Sequence, residues 1–144
     1  MLVYRRPPGG PGAPGVLEAE GPHPAALGLS MRLKSELWVK AYIRRCQIEG
    51  ADALLLRRGD TDAGAIYIKV SLLDGTALLF GPAPAGLDEA GEDRRWQPCL
   101  RQHPAAESEA DAYLERQKSF DSDIWIVAVE DRAGRHFLDD WLAK

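Results

Sequence analysis

The charged residues around the last apolar run hold the most potential chemistry in this sequence. In SFDSDIWIVAVEDRAGRHFLDDW, residues 119–141, Asp121 and Asp123 precede Ile124–Val129, and Glu130, Asp131, Arg132, Arg135 and His136 follow it. Paired carboxylates can share acid and base work, arginine forks bind phosphate or carboxylate, and a histidine can move a proton near neutral pH. Spacing limits these roles. If 123–131 is one extended strand, its ends lie ~26 Å apart at ~3.3 Å per residue, so the leading and trailing acids cannot form one catalytic pair. Successive strand residues also face opposite ways. Glu130 aligns with Ile124, Ile126 and Ala128, and Asp131 with Trp125, Val127 and Val129. Whichever acid points inward requires a cation, because an unpaired buried charge is costly. Arg45, Arg116, Arg132 and Arg135 are the available partners, and pairing of this kind explains the stretch without catalysis.

A second source of chemistry is an anion site built from Arg44 or Arg45, Arg58, Asp60 and the Arg132, Arg135, His136 group. The candidate ligand- or partner-binding residues are therefore Arg45, Arg58, Asp60, Glu130, Asp131, Arg135 and His136. No catalytic residue is assigned. The sequence has no G-x-S-x-G elbow, no G-x-x-x-x-G-K loop and no H-E-x-x-H. His23, His103 and His136 are far apart in sequence, and Cys46 and Cys99 do not have zinc spacing. No metal or other cofactor is expected. Arg58-Gly59-Asp60 spells an integrin-binding tripeptide, but its residue types read more simply as a turn.

The elements that position these residues begin after a break in composition. Residues 1–30 contain six Pro and six Gly and read as a disordered tail; Met31 opens a single domain over 31–144 and could be a natural start. Tyr4-Arg5-Arg6 is followed by prolines and glycines where an export signal needs an apolar run. No apolar run reaches ~18 residues, so no membrane span is expected. With two cysteines and no export signal, a cytoplasmic setting with reduced thiols is expected.

Ser35 reads as an N-cap and Gly50 as the C′ residue of a helix with Glu36, Lys40, Arg44 and Gln47 on one stripe. Trp38, Val39, Tyr42 and Cys46 lie opposite, and Arg45 falls on that apolar arc, its stem packed and its head snorkelling or paired. Ala53–Arg58, Ala65–Leu72 and Thr76–Phe80 read as a three-stranded antiparallel meander, with Asp74-Gly75 as a hairpin turn. Residues 81–93 form an acidic Gly/Pro loop, and Pro98 confines the next short strand to an edge, which could stay open to strand addition. Ser108 caps a helix to Phe120; Ile124–Val129 suits a central strand buried on both faces. A turn at Ala133-Gly134 leads to a short terminal element over 136–143. The fold class is α+β: an antiparallel sheet of about five strands with two main helices and a short C-terminal helix.

Segments WVKAYIRR, LLRRGDTDAGAIYIK and YLERQKSFDSDIWIVAVEDRAGRHFL resemble, in that order, small alphaproteobacterial proteins grouped as domain of unknown function 1491. The resemblance covers Met31 to the C terminus and implies a small cytoplasmic bacterial protein. It implies no activity and carries over no site residue.

A net charge of −4 weighs against wholesale nucleic-acid binding. The charge is uneven: residues 32–58 hold seven Lys/Arg and three Asp/Glu, and residues 59–144 hold nine and seventeen. Two solvated faces account for this, although Trp38, Arg44, Arg45, Arg57 and Arg58 could form a basic aromatic face. The reading that fits best is a non-enzymatic binding or assembly module, its partner a protein or a second copy. A small enzyme or anion-binding domain using the Arg/His/Asp cluster is the alternative.

Overall fold

The computed structural model describes residues 34–84 and 94–143. The tail expected at 1–30 and most of the acidic loop lie outside them. Helix α1 spans Ser35–Ile48, and its apolar stripe buries Trp38, Val39, Tyr42 and Cys46 as the spacing requires. Gly50 follows at φ 87°. The start differs from expectation. Lys34 holds the N-cap position without a side-chain cap, and the loop before the second strand replaces it. The Ser35 and Glu36 amides donate to the Asp62 and Thr61 carbonyls at 3.2 and 3.0 Å. The buried Ser35 hydroxyl donates to the Gly64 carbonyl at 2.7 Å and accepts from Arg94 at 3.1 Å. It fastens helix to loop instead of capping its own amides.

Strands β1 (Asp52–Arg57), β2 (Ile66–Ser71), β3 (Thr76–Pro82), β4 (Trp96–Pro98), β5 (Ala105–Ala106) and β6 (Trp125–Glu130) form one sheet in the order β1-β6-β2-β3-β4, with β5 also on β3. The α+β class holds, with six strands once the two-residue β5 is counted. The expected meander does not: β6 enters between β1 and β2, antiparallel to β1 and parallel to β2. The cause is burial. β6 is apolar on both faces and its Trp125, Ile126, Val127 and Val129 are buried, so it takes the centre. β1 buries only Ala53 and is left at the margin. The loop from β1 to β2 must then cross the entrance of β6, where it lies against the Asp123 carbonyl. A Cβ on Gly59 or Gly64 would come within 2.2 or 2.3 Å of that oxygen, so only glycine permits the crossing.

Helix α2 (Glu107–Phe120) begins at Glu107, one residue ahead of the expected Ser108 cap, and has no side-chain cap. The Glu107 amide donates instead to the Gly75 carbonyl in the hairpin turn, at 2.9 Å. One face of the sheet packs Ile66, Ile68, Val70, Trp125, Val127 and Val129 under α1 and Leu138. The other packs Ala77, Leu79 and Ile126 under Ala110 and Leu114 of α2. The C-terminal element is a single 3-10 turn, Asp139–Trp141. Beyond it Leu142 bridges to Trp96, and the Ala143 amide donates to the Trp96 carbonyl at 2.8 Å. No described helix is long and apolar enough to cross a membrane.

Candidate functional site

The singled-out charges fall into two groups at opposite ends of β6, separated by about 20 Å for six residues of strand. At its start, Arg58 bonds the Glu36 carboxylate and lies 5.4 Å over the Trp125 ring. That bond is the first cause holding the Glu36 carboxyl below its ordinary range. The Asp60 carboxylate accepts from the amides of Asp62 and Ala63 at 3.2 and 2.9 Å. Its backbone carbonyl accepts from the Trp125 indole at 2.7 Å. Arg58-Gly59-Asp60 is thus the beginning of the crossing loop, held by its own turn.

At the far end, Arg135 grips Asp131 through Nε and a terminal nitrogen at 3.1 and 2.8 Å, and the Arg135 amide adds a third bond at 2.9 Å. Asp131 is the inward-leaning acid, with a side chain 10% exposed, and Arg135 holds its carboxyl below the ordinary range. Arg135 also reaches the Glu49 carbonyl at 3.2 Å, joining the end of α1 to the end of β6. Arg45 does not join this cluster; its Nε lies 3.6 Å from Glu49, one turn along α1. Glu130 is exposed and stands in register opposite Asp52 of β1.

His136 is positioned by both its backbone and its ring. Its carbonyl accepts from the Tyr42 hydroxyl at 2.6 Å, and its Nδ1 accepts from the Leu138 amide at 2.9 Å. The Phe80 ring lies 4.9 Å from His136 and 4.9 Å from His103. Nε2 of His103 accepts from the Leu79 amide at 2.9 Å. A ring nitrogen that accepts a bond must be unprotonated, so both rings fit as neutral tautomers. Burial is the first cause pushing both below the ordinary histidine range.

Two features escaped the sequence reading. Lys69 projects from β2 toward α2 and meets Glu107 at 3.0 Å and Asp111 at 2.8 Å, and Glu107 also accepts from the Ser71 hydroxyl at 3.2 Å. Its place on the face opposite Ile68 was legible; its partners, some forty residues on, depended on where α2 docks. The second feature is the outer edge of β1. No described strand pairs with it, and Leu54, Leu55 and Leu56 are 51%, 37% and 54% exposed. Three consecutive leucines put an apolar side chain on each face, a signal present in the sequence that does not by itself mark an edge.

No group of three or more His, Cys, Asp or Glu among the described residues could hold a metal ion. Chemically, the two ends of β6 offer fastened ion pairs, and the β1 edge offers a strand margin without a described strand partner, beside apolar side chains.

A family model described as "Protein of unknown function (DUF1491)" matches residues 33–139. The fold is similar to the crystal structure of a DUF1491 family protein from Caulobacter crescentus, at 41% identity and TM-score 0.66, over 79% of this chain and 100% of that one. An NMR structure of a DUF1491 family protein from the same organism gives 43% identity and TM-score 0.66, over 79% and 99% of the two chains. The solution structure of a protein from A. tumefaciens gives 39% identity and TM-score 0.61, over 69% and 86%. The comparison with curated proteins found no match.

Proposed function

The chain belongs to the DUF1491 family, and from its own geometry we propose that it is a non-enzymatic binding or assembly module whose contact surface is the outer edge of β1. The observation that carries this reading is a contrast in commitment. Arg58, Asp60, Asp131 and Arg135 are engaged in fastening loops and helix ends. The β1 edge has no strand partner among the described residues and presents three exposed leucines. A strand edge of this kind recognises another strand through main-chain hydrogen bonds, with side chains supplying selectivity. A cytoplasmic setting belongs to the same proposal and rests on free Cys46 and Cys99.

Light scattering over a range of concentrations, joined to affinity capture from native extract, tests the reading. Self-association or a specifically retained protein is expected, and Leu54→Lys should abolish either one. A strictly monomeric protein that retains no specific partner overturns it.

A further inference from the structure

We infer that the occupant of the β1 edge is β1 of a second copy, paired antiparallel across a two-fold axis near Leu54 and Leu55. This rests on the binding-module reading and adds the partner. Three observations carry it, the first being the ends of the strand. Asp52 opens β1 and Arg57 closes it. Their register partners are Glu130 and Ile126, and Ile126 packs in the core beneath α2. Glu130 lies four residues from Ile126 on the same strand, so it faces the same way. The register shift between Leu55 and Arg57 brings Asp52 and Arg57 to one face despite their odd separation. An antiparallel two-fold then sets Asp52 of each copy beside Arg57 of the other, and leucine beside leucine between them.

The second observation is the pair Asp52 and Glu130, directly opposed in register. Like charges placed so are destabilising, and an arginine from a neighbouring strand relieves both. Arg57 can serve, because its guanidinium carries five N–H donors: Nε is buried and the Ser122 carbonyl takes one terminal N–H at 2.7 Å, which leaves three.

The third is what the edge lacks. Sheet edges kept apart carry charge or proline in mid-strand; β1 carries leucine there. Gln47 approaches the Ala53 carbonyl at 3.5 Å, a long bond that an incoming amide can replace. The opposite edge is closed by Pro98 and the C-terminal segment, so pairing ends at a dimer and does not propagate. A standard interface buries ~800 Å² on each partner. A six-residue edge supplies only part of that, so a dimer dissociating in the micromolar range is expected.

Sedimentation velocity on the full chain, from low micromolar to several hundred micromolar, tests this. A reversible monomer–dimer equilibrium is expected. Asp52→Arg should weaken it by about 10-fold or more, since two attractive pairs become two repulsive ones. Its fold is not at risk, because the new side chain faces Glu130. Adding Arg57→Asp to Asp52→Arg should restore much of the association. A monomer at every concentration overturns the proposal, as does a dimer indifferent to Asp52→Arg. If that monomer retains another protein through Leu54, the second-copy proposal falls and the binding module stands. If it retains none, both fall.

Discussion

The two margins of the sheet are built on opposite terms. On the β4 side, Trp96 is 2% exposed. Its indole donates to the Ile66 carbonyl at 3.0 Å, and its ring stacks on Trp38 at 4.4 Å. Pro98 removes a ladder donor, and the C-terminal segment covers the Trp96 backbone. On the β1 side, leucines face solvent and no described strand pairs with the outer edge. Burial therefore stabilises one margin, and the other is retained at the cost of exposed apolar surface. A margin that holds the fold together should respond to mutation through stability. A margin that meets a partner should respond through association.

The largest expected effect lies on the closed margin. Trp96→Ala removes a buried ring from the Trp38–Tyr42–Trp141 cluster and should cost ~3–5 kcal/mol, read as a lowered denaturant midpoint with association per folded molecule unchanged. Lys69→Met, between the margins, should cost about 1–2 kcal/mol. The Lys69 side chain is 11% exposed, but Glu107 and Asp111 are 33% and 57% exposed and can rehydrate. If Lys69→Met cost as much as Trp96→Ala, the sheet would depend on this ion cluster more than on its aromatic margin.

Acid should loosen the closed margin specifically. His103 and His136 flank Phe80 with folded pKa values pushed below 6.5, first by burial. A group whose folded pKa lies below its unfolded one binds more protons unfolded, so stability falls as pH drops through the window between the two values. From pH 7.5 to 5.5 the thermal midpoint should decline, and above pH 7.5 these residues should contribute no slope. His103→Gln can still accept from the Leu79 amide and should flatten the decline. An unchanged slope in that variant would remove His103 from the account.

Much of this contrast was legible in the residues, and the remainder depended on long-range placement. Pro98 marked an edge, Asp74-Gly75 the hairpin, and the doubly apolar Ile124–Val129 run the central strand. The residues suggested an edge at Pro98 open to strand addition, and the C-terminal segment closes it instead. The spacing of Trp38, Tyr42 and Cys46 gave the buried stripe of α1, and Asp131 with Arg135 emerged among the charge partners considered. The place of β1 was not legible, because local pattern favours pairing sequence neighbours and only global burial moves β6 between them. The same limit hid the docking of α2 that brings Glu107 and Asp111 to Lys69. Ser35 and Ser108 had capping chemistry in the right places, yet backbone carbonyls of the loop and of Gly75 took over the role.

The smallest expected effect on stability lies on the bare margin, and there a small number is informative. Leu54 lies opposite Ala128, and it is 51% exposed. Leu54→Lys gives up little buried surface, so the unfolding free energy measured at low micromolar concentration should change by no more than ~0.5 kcal/mol. The same substitution puts an ammonium into the middle of any strand pairing at that edge, as protected edges do, and should eliminate association at high concentration. A large loss of stability in dilute solution would mean that Leu54 is already covered within its own chain. The β1 margin would then belong with the β4 margin as part of the fold's support, and its leucines would say nothing about a partner.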